Sequence, residues 1–147
     1  MRKSILLLVV LVLTGCAMPK IVIFDDPLTA QQHNDLGVAY EEKGDFNLAA
    51  KEYEKAIRKN PEWVVPYLNL AHVCYRQGKL DQAERVLREG IRIKGDHPDL
   101  LNNLAWVMME KGELKNALYL VDKAIYLDNK EEYRDTRQAV LKKMEAR

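Results

Sequence analysis

From Ala30 onward the apolar residues of this chain recur every three or four positions, with polar residues between them. That spacing is the helical period, and glycine or proline interrupts it at regular intervals. The pattern predicts helices over about 30–43, 46–59, 64–77, 80–93, 98–111 and 114–127, and a seventh over about 131–145. Thr29 stands before the first, with Gln32 three residues on, a capping-box start. In the seventh, Glu131, Glu132 and Asp135 lie near the start and Lys142, Lys143 and Arg147 near the end, which complements the helix dipole.

The helices come in pairs, and the pairs repeat. Gly44, Gly78 and Gly112 are spaced by 34 residues. At the same period stand Ala49, Ala83 and Ala117, then Leu36, Leu70 and Leu104, then Ile57, Ile91 and Ile125. Small residues recur at Gly37, Ala71 and Ala105 and at Ala56, Gly90 and Ala124, and large apolar ones at Phe46, Leu80 and Leu114. The residue types follow from packing. A tight turn needs a residue that tolerates positive φ, hence the glycines. Small residues belong where two helix backbones approach closely. Large apolar ones fill the space between neighbouring units, none of which can bury its apolar face alone.

A period of 34 with two helices per unit resembles the tetratricopeptide repeat (TPR). Leu36, Gly37 and Tyr40 read as the first-helix signature, Ala49, Tyr53 and Ala56 as the second-helix one, and Pro61 as the closing proline. The second unit offers Tyr67, Leu70, Ala71, Ala83, Leu87 and Gly90, and the third Leu101, Leu104, Ala105, Ala117, Val121 and Ala124. Cys74 and Met108 stand where the family has tyrosine, and Gly95 and Asn129 replace the closing proline, which leaves those two turns less sharply specified. The resemblance implies an all-α fold: a right-handed superhelical solenoid of three helix-turn-helix units spanning 29–129, or 30–63, 64–97 and 98–131 by period, plus a C-terminal capping helix at 130–147. By the same period, Ala139 continues the small column and Lys142 falls where Tyr40, Cys74 and Met108 pack.

The first residues are of another kind. Arg2 and Lys3 precede the unbroken apolar run Ile5 to Leu13, followed by Leu13-Thr14-Gly15-Cys16. This is the layout of a secretory signal peptide, about half the ~20 residues a membrane-crossing helix needs. The ending resembles a bacterial lipobox, which implies cleavage after Gly15, so that 1–15 is a signal peptide, and lipidation of Cys16. The alternative is an ordinary signal peptide with a cysteine there by chance. Several acyl chains on one residue would anchor the chain firmly, at about 0.8 kcal/mol per buried methylene. Ala17, rather than aspartate, follows the cysteine; in a Gram-negative cell that favours the outer membrane, facing the periplasm. Residues 16–28 form a tether whose apolar stretch Ile21–Phe24 is expected to pack on the first unit.

Charge and composition then narrow the function. The chain has 23 basic and 22 acidic side chains; without Arg2 and Lys3 the balance is 21 to 22, a net of −1. That leaves no footprint for nucleic acid. Cys74, the other cysteine, falls at a core position and reads as a small hydrophobe rather than a reactive thiol. His33, at a first-helix core edge, His72, and His97, in a turn before Pro98, form no metal motif. No phosphate loop or nucleophile motif accompanies them. No cofactor, metal, small-molecule substrate or catalytic residue is therefore expected.

In the family the first helix of each unit lines the concave surface, and residues there are not demanded by the fold. These are Gln31, Asn34, Val38 and Glu41, then Val65, Leu68, His72, Tyr75 and Arg76, then Asp99, Asn102, Trp106, Met109 and Glu110. Leu68, Tyr75, Trp106 and Met109 would give an apolar and aromatic floor, rimmed by Arg76, Asn102 and Glu110, suited to a protein or peptide partner. Leu68 and Trp106 could equally fill the space between adjacent first helices. Some relatives clamp a carboxylate with paired lysine and asparagine; Asn34 and Asn102 lack matching lysines, so that function is not carried over. The resemblance implies a lipid-anchored scaffold in a bacterial envelope complex, such as a pilus, secretion or cell-wall enzyme assembly. The alternative is a non-catalytic accessory subunit that docks substrate for an envelope peptidase or other enzyme.

Overall fold

The computed structural model describes residues 26–146, all of whose regular structure is helical. The expected signal peptide at 1–15, Cys16 and the Ile21–Phe24 stretch lie outside the described residues. Seven helices follow in order: α1 (Ala30–Glu42), α2 (Phe46–Lys59), α3 (Val64–Arg76), α4 (Leu80–Lys94), α5 (Pro98–Glu110), α6 (Leu114–Leu127) and α7 (Glu131–Glu145). The expected spans hold to within a residue. Thr29 and Gln32 form the expected capping box, each side chain bonded to the other's backbone N–H.

Each helical pair closes in the same way. Gly44, Gly78 and Gly112 sit at φ of 80°, 72° and 80°. In the first pair Gly44 N–H donates to Glu41 O and Asp45 N–H to Tyr40 O, each at 2.9 Å. The same two bonds recur at Gly78 with Lys79 and at Gly112 with Glu113. This is the Schellman closure, which satisfies carbonyls that the helix end leaves free.

The turns between units, expected to be loose where proline is missing, are held by other means. Gly95 ends α4 at φ 79°, and Pro98 starts α5 at a position that needs no N–H. Arg134 donates to both the backbone and side-chain oxygens of Asn129, at 3.0 and 2.8 Å.

The repeating columns form the core. Ala49, Ala83 and Ala117 are fully buried, as are Tyr53, Leu87 and Val121. Fully burying one such leucine or valine stabilises by roughly 1.5–3 kcal/mol. Ile57, Ile91 and Ile125 are only half-buried. Cys74 is buried, and burial pushes its thiol pKa up, as suits a packing residue rather than a nucleophile. Each helix touches only helices one or two places away in order. The result is a linear stack rather than one closed core.

The last helix corrects the expected register. α3 and α5 start 34 residues apart, at Val64 and Pro98, but α7 starts at Glu131, 33 after Pro98. The cause is that α6 has 14 residues where α4 has 15, with three linking residues after each. Buried positions confirm the slip: Val73 and Val107 continue as Val140, and Leu100 as Tyr133. Leu141, rather than Lys142, thus succeeds Cys74 and Met108, and exposed Gln138, rather than Ala139, takes the small-residue place. Gln138 is exposed, so a long polar side chain fits there.

Candidate functional site

The first helices α3 and α5 stand side by side, and α7 leans on α5 beyond them. Between the three lies an open pocket of about 720 Å³. α3 contributes Ala71, His72 and Tyr75; α5 contributes Asn102, Asn103, Trp106 and Val107; and Leu87 of α4 closes the base. The opposite wall is Glu131, Glu132, Asp135 and Thr136 of α7.

Four of the expected groove residues lie in this pocket. His72, Tyr75, Asn102 and Trp106 line the pocket, and Trp106 remains 40% exposed. Leu68 is half-buried and packs against the core. His72 Nδ1 lies 2.8 Å from Glu41 Oε1, and the other oxygen of Glu41 accepts from Tyr53 Oη at the same distance. That carboxylate therefore ties the first unit to the second. Asn69 likewise donates across to Asn34, at 3.0 Å.

Three expected residues lie elsewhere. Met109 is a correction: it is 4% exposed and belongs to the core cluster that also contains Val140 of α7. The capping helix covers it, an effect that the 34-residue columns cannot reveal. Arg76 turns back over the ring of Phe46, 5.2 Å from its centroid, a cation–π contact with α2. Glu110 is engaged by Lys143 of α7 at 3.2 Å. Neither lines the pocket.

The acidic α7 wall was missed from sequence. The sequence reading takes Glu131, Glu132 and Asp135 as charges complementing the helix dipole, and Glu131 and Glu132 do stand in the first turn. Treating α7 as one more first helix would have found them. α7 is held in place by Tyr133, fully buried, whose hydroxyl donates to Asp99 Oδ1. Burial first, and then that carboxylate, push the tyrosine pKa up to about 12. Burial opposes ionisation of Asp99, but bonds from Tyr133 and Lys130 outweigh it and hold the carboxyl below its ordinary range. Among the described residues no group of three or more His, Cys, Asp or Glu is placed to hold a metal ion. Nor is any described helix long and apolar enough to cross a membrane.

Comparison with known proteins agrees with this architecture. A family model for the tetratricopeptide repeat matches residues 40–99. The Protein CTR9 homolog of Arabidopsis thaliana is 29% identical over 106 residues, 69% of this chain but 10% of that protein. The chain thus spans about a tenth of that relative's length. Among solved structures, the first TPR of Spaghetti (RPAP3), bound to the HSP90 peptide SRMEEVD, superposes with a TM-score of 0.71 at 18% identity, covering 83% of this chain and 98% of that one. The Sgt2 TPR domain from Aspergillus fumigatus gives a TM-score of 0.72 at 14% identity, covering 79% of each chain. At those identities the likeness is one of fold. The chain's form is a solenoid of three helical pairs and a capping helix, and the tetratricopeptide-repeat match lies across 40–99 within it.

Proposed function

We propose that the chain is a non-catalytic adaptor that holds a protein or peptide partner in its concave groove, anchored through lipid on Cys16 in a bacterial envelope complex. The observation that carries the binding half is the open pocket lined by Tyr75 and Trp106. A tryptophan left 40% exposed on a concave surface is a characteristic anchor for a partner. The neighbour of like fold carries a peptide, which supports the same use of the groove. The test is the double substitution Tyr75→Ala with Trp106→Ala. Removing two aromatic anchors is expected to weaken partner binding by about 2 kcal/mol or more, read by calorimetry beside a thermal melt. Loss of affinity only in proportion to unfolding, or none, overturns the groove assignment.

The anchoring half rests on the Leu-Thr-Gly-Cys ending. Cys16→Ser should release the chain from the membrane fraction while its circular dichroism stays helical. A substituted chain that still sediments with membranes removes the lipid anchor from the proposal. The envelope setting, a pilus, secretion or cell-wall enzyme assembly, follows from that anchor. Periplasm-facing outer membrane is its expected location in a Gram-negative cell.

A further inference from the structure

Resting on the groove reading above, we infer that the pocket takes a basic side chain, lysine or arginine, from an extended segment of the partner protein. The α7 wall presents three carboxylates, Glu131, Glu132 and Asp135, and no lysine or arginine lines the pocket. The neighbouring cations are engaged elsewhere. Lys130 holds Asp99, Arg134 holds Asn129, Arg137 holds Asp122, and Lys143 holds Glu110. The wall therefore faces the groove with its charge uncompensated by the described side chains.

A second observation is independent of that wall. Asn102, on the α5 side of the same pocket, is 4% exposed, and its Oδ1 has no hydrogen-bond partner among the described residues. A buried acceptor without a donor carries a desolvation cost that an incoming N–H would relieve. Lysine and arginine offer donors alone and carry the charge that the wall lacks. The pocket's remaining large surfaces are the rings of Tyr75 and Trp106, whose faces attract cations. A helix-dipole role, expected of Glu131, Glu132 and Asp135 alike, does not account for the unpartnered Asn102. An acidic segment would meet like-charge repulsion from the three carboxylates of the wall.

The experiment is selection from a random phage-displayed peptide library on the purified full chain. It is run in parallel on Tyr75→Ala/Trp106→Ala and on Glu131→Gln/Glu132→Gln/Asp135→Asn. Peptides selected by the unaltered chain should be enriched in lysine and arginine over the input. A synthetic copy of the most enriched peptide should bind the neutralised chain roughly tenfold more weakly, with an unchanged melting temperature. Should the triple substitution unfold the chain, Asp135→Asn alone and the salt dependence of binding give the same readout. A neutral or acidic pool, or equal affinity for the neutralised chain, overturns the inference. If those peptides still need Tyr75 and Trp106, the groove assignment survives it. If no peptide is selected, or the same peptides bind without the two aromatics, both fail.

Discussion

At the scale of single residues, Gly37 stands hard against the ring of Tyr53. A Cβ at residue 37 would stand 2.5 Å from Tyr53 Cε1, inside any tolerable contact. Tyr53 cannot yield easily: it is fully buried, and its hydroxyl donates to Glu41 at 2.8 Å. Gly37→Ala gains up to about 1 kcal/mol of helix propensity, yet should still destabilise by roughly 1–3 kcal/mol through overpacking. At Gly90 the nearest atoms would be 3.2 Å away, so Gly90→Ala should cost less. Ala83→Leu and Ala117→Leu, at fully buried positions, should behave like Gly37→Ala. Urea melts check the order; a Gly37→Ala chain as stable as the parent would contradict the geometry. These positions were legible in the sequence because the repeat prints them three times. His33 was not. Read as a core-edge residue, it is fully buried, with Nδ1 2.7 Å from Glu52 and Nε2 3.2 Å from Asp26. Neither partner belongs to a repeating column, so periodicity is silent about them.

At the scale of elements, α7 decides most. Its helical period was readable, but its register was not, because the slip of one residue arises from the length of α6 rather than from any residue of α7. With that register come the burial of Met109 and the acidic wall of the pocket. Tyr133 is the peg of this arrangement. Tyr133→Phe keeps the buried ring but removes the bond to Asp99, whose Oδ1 then keeps the bond from Lys130 at 3.0 Å. The expected loss is about 1–2 kcal/mol, with hydrogen exchange rising first in α7. Uniform exchange across all seven helices would mean that α7 is not a separable element. The turn glycines and the Thr29 cap, by contrast, were readable at once, since turn and cap chemistry is local.

At the scale of the whole molecule, ion pairs stitch successive units together. Lys111, in the turn of the third unit, reaches Asp81 at 2.7 Å and Glu84 at 2.6 Å on α4. Those bonds hold both carboxyls below their ordinary range and raise the lysine. For Glu52, burial works the other way but is outweighed by bonds from Lys55 and His33, so its pKa is lowered too. A carboxyl lowered in the folded state contributes stability that is present above its unfolded value and lost as pH falls through the folded one. The stack should therefore weaken on acidification from about pH 5 downward. Urea midpoints at pH 7 and in the acid range test this, and Lys111→Met should shrink the difference between them. A midpoint independent of pH would show these pairs to be idle.

The contacts that run only between near neighbours have a mechanical side as well. α7 meets α5 and α6 much as α5 meets α3 and α4, so the molecule is a row of similar joints loaded in series. Small rotations at successive joints add, while each joint alone stays stiff. The curvature of the groove is then softer than any one interface within it, and a partner lying across two joints would set the bend of the whole spring.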